Sequence, residues 1–499
     1  MKFSKTLVAL VILGSLGGVL FYLNKHPKAD TSADTNPKKK LFSFQSDQVK
    51  EFTLEKPDQP SVTIRRAEAK AAPVPAAGKS QWEIVSPTGV PGDSAVIQNF
   101  VDELPKIEYT PLEAQTPSSL GEYGLDQPQK IFKFQTTQGQ PVTLSIGKDN
   151  PAGFAKYAML SSSPGIFLLD STDTKDLIDK TLFDFRDKRV LPVSMDNAKQ
   201  IQLKFDLSGQ QNAAAEIEKA KKLGLPVKPP KIVMTKQGNS NWEITDPAVR
   251  TDHGDTNYFV TNLTGAVIKS VEDDNPKSLA AYGLDRPQIR LEVTTPDGTH
   301  SLLVGKKKEA PKKPEVKPAE GEKKEEPKPE DNQGYYAKNS DWPMVFTINQ
   351  QVYDQLNQDL DNYRNRFLFD FEASNARRLE VQGPDGEVRL DRKGDDWFKA
   401  GAAGTKVDVA KVNTFLDAVH SLRVQHYTED KPGHLAEYGL DKPWMKVKVT
   451  FGEANKQETV LFGVKNKKFY AARQDEPSVY ELAPNEQENL QPKLKDLSS

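Results

Sequence analysis

The chain of 499 residues carries 68 Lys plus Arg against 70 Asp plus Glu, and it has no Cys. That balance excludes the bulk positive charge of a nucleic-acid binder, and the missing Cys excludes disulfides, thiolate metal sites, a cysteine nucleophile and a lipid-modified N-terminal cysteine. A mean hydropathy of -0.64 with 28% charged residues describes a soluble body of about three domains, with any membrane contact confined to a short segment.

That segment is Leu7 to Leu23, bounded by Lys5 and Lys25 with no charge between them. The uncharged run Thr6 to Asn24 would make a helix of about 28 Å, close to a hydrocarbon core of roughly 30 Å. The rival reading, a cleavable signal peptide, needs a small-x-small site. Phe21, Tyr22, Leu23 and Asn24 come first, and the one candidate is Thr31-Ser32-Ala33, so an uncleaved single-pass signal-anchor is expected. Lys2 and Lys5 precede the span, whereas Lys25, Lys28, Lys38, Lys39 and Lys40 follow it. Positive-inside counting alone would keep the body cytoplasmic, but long domains translocate largely regardless of charge. A short Lys-bearing tail before an apolar run also has the form of an export signal. The expectation is an inner-membrane protein with a periplasmic C-terminal body, residues 1–40 forming anchor and polar stalk.

A twelve-residue signature, Pro-x-x-Leu-x-x-Tyr-Gly-Leu-Asp-x-Pro, recurs at Pro117 to Pro128, Pro276 to Pro287 and Pro432 to Pro443. Trp82, Trp242 and Trp397 lie 41, 40 and 41 residues before the signature residues Tyr123, Tyr282 and Tyr438. Register kept this closely marks a tandem repeat. Between Trp and signature the apolar residues fall at helical spacing: Ile97, Phe100, Val101 and Leu104; Phe259, Val260 and Leu263; Val412, Phe415, Leu416 and Val419. Alternating stretches such as VKEFTLE, PSVTIRR, KIFKFQTT, PVTLSIG and GIFLLD flank it and predict half-buried strands. The fold class expected is α+β: three modules, each an antiparallel sheet with helices packed on it. Their expected bounds are 41–191, 192–369 and 370–499, with a weak polar helix around Asn485 to Leu497.

Within the first signature, Pro117 suits the first helical position after a Thr116 cap, and Leu120 and Tyr123 share a face. Gly124 fits the left-handed position that ends a helix, Leu125 folds back on it, and Pro128 admits the next strand at its start. The same reading applies to Tyr282, Gly283, Leu284, Asp285 and Pro287, and to Tyr438, Gly439, Leu440, Asp441 and Pro443. Three insertions distinguish the copies: an Ala- and Pro-rich stretch at Ala67 to Gly78, an exposed helix near Ala213 to Leu223, and a Lys-, Glu- and Pro-rich loop at 306–333. The last has almost nothing apolar to bury and is expected to be a disordered loop.

The Tyr-Gly-Leu-Asp-x-Pro motif precedes a strand ending Gly147-Lys148 or Gly305-Lys306 and then a strand with Tyr157-Ala158 or Tyr336-Ala337. This pattern resembles the bacterial family called domain of unknown function 4340, as does the ending Phe185-Arg186-Asp187-Lys188-Arg189, with Tyr363-Arg364-Asn365-Arg366 its looser counterpart. The third copy departs, with Gly463-Val464 for Gly-Lys, although it keeps Tyr470-Ala471. The resemblance implies a membrane-anchored envelope protein, in some cases an accessory of an ABC-type transporter, and it brings no catalytic residues.

Asp126, Asp285 and Asp441 recur in identical helix-stop contexts, where catalytic groups would diverge in role, so they read as structural. The repeated Trp residues could stack on sugars or peptides but read as core. His26, His253, His300, His420, His426 and His434 form no metal pair on a helix. No catalytic, cofactor or metal site is expected. The leading expectation is a non-enzymatic accessory or adaptor with a protein partner in the envelope, the alternatives being a cell-wall or glycan-binding module and an envelope hydrolase with a site between modules.

Overall fold

A computed structural model describes residues 38–57, 59–67, 81–112, 119–137, 139–172, 174–206, 228–309, 334–384, 386–401 and 404–498. The expected membrane segment, Pro117, the insert at Ala213 to Leu223, and nearly all of the Ala- and Pro-rich stretch and the charged loop lie outside these residues. No helix among the described residues is long and apolar enough to cross a membrane.

The body holds three sheets, and all their strand pairs are antiparallel. One strand order recurs. In the first sheet it runs Trp82–Ser86, Val62–Arg66, Val49–Glu55, Lys130–Thr136, Val142–Asp149, Ala155–Leu160, Ser163–Asp170, Glu108–Pro111 and Lys39–Lys40. The second repeats it from Asn241–Asp246 to Ser270–Asp273, and the third from Asp396–Lys399 to His426–Glu429 with Lys406–Val407 added beyond the Trp strand. The strand after each signature is central and shows why the alternation works. Phe132 and Phe134, Ile289, Leu291 and Val293, and Met445, Val447 and Val449 are all buried on one face, each contributing about 1.5–3 kcal/mol.

In every copy the Trp strand sits at or beside one end of the sheet and the strand after the helix at or beside the other, so the helix between them crosses the sheet face. These helices are Ser94–Glu103, His253–Gly265 and Val409–Ser421. Each opens on an Asp: Asp93 accepts from the Ala95 and Val96 amides, Asp252 from Gly254 and Asp255, and Asp408 from Ala410. A carboxylate at this place satisfies orphan donors and is worth about 1 kcal/mol. The buried side chains include Ile97, Phe100 and Val101; Phe259, Val260 and Leu263; and Val412, Phe415, Leu416 and Val419.

A short lead segment begins each copy. Lys40 pairs with Glu108, Arg189 bridges Val267, and Phe367 bridges Arg423, in each case beside the residues that leave the helix. The next residues, Leu41, Val190 and Leu368, are buried. The lead segments therefore belong to the copies that follow them. This moves the expected bounds at 191 and 369 back by a few residues, because Val190 and Leu368 are core of the next sheet. The chain divides into two compact units, one ending at Lys188 and one running from Arg189 to Ser499, and the second unit contains both the second and third sheets.

Candidate functional site

The signature closes a single 3₁₀ turn, Leu120–Tyr123, Ala280–Tyr282 or Leu435–Tyr438, and not the α-helix expected from its leading Pro. Pro276 and Pro432 lie outside the turn. The residues before it in the first and third copies, Ser119 and His434, are extended, so only one turn fits before Gly must go left-handed. Gly124, Gly283 and Gly439 have φ of 65°, 67° and 68°. The amides of Leu125, Leu284 and Leu440 then donate back to Leu120, Leu279 and Leu435 carbonyls at 3.0, 3.1 and 3.0 Å, and all three Leu are buried.

The turn rests on the sheet through its backbone. A Cβ at Gly147, Gly305 or Gly463 would stand 2.2, 2.2 or 2.4 Å from the carbonyl oxygen of Tyr123, Tyr282 or Tyr438. This accounts physically for the Gly that the family pattern places after the signature. Each signature Tyr also meets the Tyr of the next strand edge to face: Tyr123 with Tyr157, Tyr282 with Tyr336 and Tyr438 with Tyr470, at 4.9, 5.1 and 5.2 Å. The Tyr282 hydroxyl donates to Asp273 and that of Tyr438 to Glu429. Burial, followed by the Glu429 contact, pushes the Tyr438 phenol above its ordinary range. Asp126, Asp285 and Asp441 point to solvent from three separate turns, and Pro128, Pro287 and Pro443 precede the central strands.

Trp82, Trp242 and Trp397 are buried in the three cores. Trp82 Nε1 donates to Gln98 on the crossing helix at 2.8 Å. Among the described residues no group of three or more His, Asp or Glu is placed to hold a metal. His253 contacts the Trp242 carbonyl and His300 contacts Asp341.

Two places with unusual electrostatics carry little sequence signal. The first joins the second and third copies. The guanidinium of Arg364, 4% exposed, meets Asp430 at 2.5 Å and lies 3.9 Å over the Tyr427 ring, whose hydroxyl donates to the Arg364 carbonyl. Arg473, equally buried, donates to the Leu368 carbonyl at 2.7 Å and pairs with Asp475, Glu476 and Glu458. Arg250 from the second copy reaches the Phe367 carbonyl and Asp370. Burial raises the Glu458, Glu476 and Asp361 carboxyls above the usual carboxylate range. Burial alone would lower Arg473, and its carboxylate partners more than offset that. Asn339 occupies the position of Arg473 in the second copy, and it donates to the Val190 carbonyl at 3.0 Å. The polar grip on the lead segment is thus repeated and is strengthened to a charged cluster in the third copy.

The second place is in the first copy, where a cavity of about 440 Å³ opens between the Ser94–Glu103 helix and the segment from Thr174 to Lys180. Val96, Phe100, Leu104, Ile107 and Leu177 supply its apolar wall, and Glu103, Lys106, Glu108 and Lys180 its rim. Behind Leu177 the Lys130 ammonium, 3% exposed, donates to the carbonyls of Ile178 and Lys180 and approaches that of Leu177. Burial, with Lys56 adding to it, lowers the Lys130 amine to about 7. One signal was available for it: Lys130 is in phase with Phe132 and Phe134, where the other copies have Ile289 and Met445.

The family model Domain of unknown function (DUF4340) matches residues 82–237, 242–312, 326–431 and 397–499, most of the chain beyond its N-terminal part. The chain belongs to this family. Three of the four DUF4340 matches begin at Trp82, Trp242 and Trp397, so the DUF4340 pattern starts on the Trp strand and takes in the crossing helix, the signature turn and the central strands. No curated protein and no solved structure gave a match to the chain.

Proposed function

We propose that this DUF4340 protein is a non-enzymatic accessory or adaptor of the cell envelope. It is held in the inner membrane by the helix at Leu7 to Leu23, its body lies outside the cytoplasm, and it works beside an ABC-type transport system. The observation that carries the reading is how the repeated residues are used. The repeated Trp, and the Tyr, Gly and Leu of each signature, are spent on core, turn and sheet contacts in all three copies. Each of the three Asp is exposed to solvent in its own copy. Residues that differ between copies are left to face partners.

The seam in the second unit supports the same reading. Arg364, through Asp430 and the Tyr427 ring, and Arg250, through the Phe367 carbonyl and Asp370, tie the second copy to the third, and a joined pair of modules offers a surface suited to docking. Glu458 and Glu476 have the raised carboxyls that a hydrolase acid would need, but both face Arg473 within the third copy, beside its lead segment. That placement favours a joint over a catalytic pair. Chemical crosslinking of intact membranes followed by capture of the full chain tests the proposal. One envelope protein should be enriched at least tenfold over an unrelated anchored control, and no enrichment would remove the basis for an adaptor.

A further inference from the structure

The last element of each copy is in strict register. Phe167, Phe346 and Tyr480 pair across their strands with Ala158, Ala337 and Ala471. Ten residues on, Leu177, Leu356 and Leu490 are buried at 2%, 1% and 1% exposure. The helices carrying these Leu differ: Lys175–Asp179 has 5 residues, Gln350–Leu356 has 7 and Pro484–Ser498 has 15. In the third copy the long helix lies against the crossing helix, burying Leu490 and Leu494, and Lys411 Nζ is 3.5 Å from the Asp496 carbonyl. In the first copy Lys130 grips the final carbonyls of the short helix instead. The space between that helix and the crossing helix is the 440 Å³ cavity.

We propose that this cavity, between the Ser94–Glu103 helix and Thr174 to Lys180, is a binding site for a hydrocarbon chain such as that of a single-chain fatty acid. Its volume is within the roughly 300–1,000 Å³ of small-ligand sites. The wall is Val96, Phe100, Leu104, Ile107 and Leu177. Among the described residues no buried unpartnered polar atom belongs to a lining residue, and the polar lining side chains Asn99, Glu103 and Lys106 are exposed at its edge. The Thr174 hydroxyl donates to the Asp170 carbonyl, and Lys130 is engaged by its carbonyls. At the mouth Glu103 is paired with Lys106 and Glu108 with Lys40, so a charged head gains little and the apolar chain supplies the affinity. The site does not depend on the accessory reading.

The test is photolabelling of the full-length protein in membranes with a diazirine-bearing palmitic acid, the attachment sites being read by peptide mass spectrometry. Label is expected on peptides covering Val96 to Glu108 and Thr174 to Lys180 at least tenfold above the equivalent stretch Lys411 to Arg423. Unlabelled palmitate should displace it. Asn99→Trp, at an exposed position on the cavity edge, should abolish it while labelling elsewhere is unchanged. Even labelling of the three copies, labelling that Asn99→Trp does not reduce, or displacement by a co-purifying protein and not by palmitate would each overturn the proposal.

Discussion

Replacing Lys130 by Met, the residue the third copy uses at this place, should remove a pH dependence from the stability of the first unit. The amine has its ordinary value of 10.5 in the unfolded chain and about 7 in the fold, burial being the main cause. Because the folded value is the lower one, the unfolded state binds more proton throughout that interval, and stability rises with pH across it. Each unit of difference is worth about 1.4 kcal/mol, so the whole effect has a ceiling of about 5 kcal/mol, of which about 2 kcal/mol is recovered between pH 7 and pH 9. The absence of any native Cys allows a clean assay. A single Cys at Ala158, fully buried in the first sheet, can be pulse-alkylated across a urea series. With a urea slope of about 2 kcal/mol per molar, the midpoint should move up by about 1 M from pH 7 to pH 9 relative to the Lys130→Met chain. Equal pH slopes in the two chains would refute the assignment of a buried, carbonyl-bound ammonium.

Gly147→Ala, Gly305→Ala and Gly463→Ala should each cost about 2 kcal/mol or more, since the new Cβ would overlap a Tyr carbonyl, and a urea midpoint within error of wild type would contradict the backbone contact. Changing Asp126, Asp285 and Asp441 together to Asn should leave stability within about 0.5 kcal/mol per site, whereas Asp252→Ala should cost about 1 kcal/mol through its lost cap. Arg364→Ala should cost about 1.5–3 kcal/mol by removing a buried guanidinium and its charge-assisted bond to the partly exposed Asp430, with faster hydrogen exchange in the 423–430 peptide. Unchanged exchange there would remove Arg364 from the seam.

Much of this fold was legible because one sequence reports on itself three times. The Trp strand, crossing helix and signature keep their spacing, so the elements around Trp82, Phe100 and Tyr123 could be read with those around Trp397, Phe415 and Tyr438. The α-helix expected at the signature came out as one 3₁₀ turn, since local propensity does not register the extended residues before Leu120 and Leu435. The Asp caps lie 11, 10 and 11 residues after the Trp but have a common residue type in an unremarkable place. Lys130 and Arg473 were hidden for another reason. Each is a charge on a strand whose burial depends on partners distant in sequence, such as Lys180 and Leu368, that only the folded chain brings near.

Site-specific photocrosslinking in intact cells tests most directly whether function lies in what the copies do not share. Crosslinkers at Phe154 and Tyr258, exposed at 76% and 66% and not repeated in the other copies, should trap an envelope protein. Crosslinkers at Asp126, Asp285 and Asp441 should not. Adducts at the three Asp positions with none at Phe154 or Tyr258 would show that the signature itself is the contact surface and would contradict the scaffold role assigned to it.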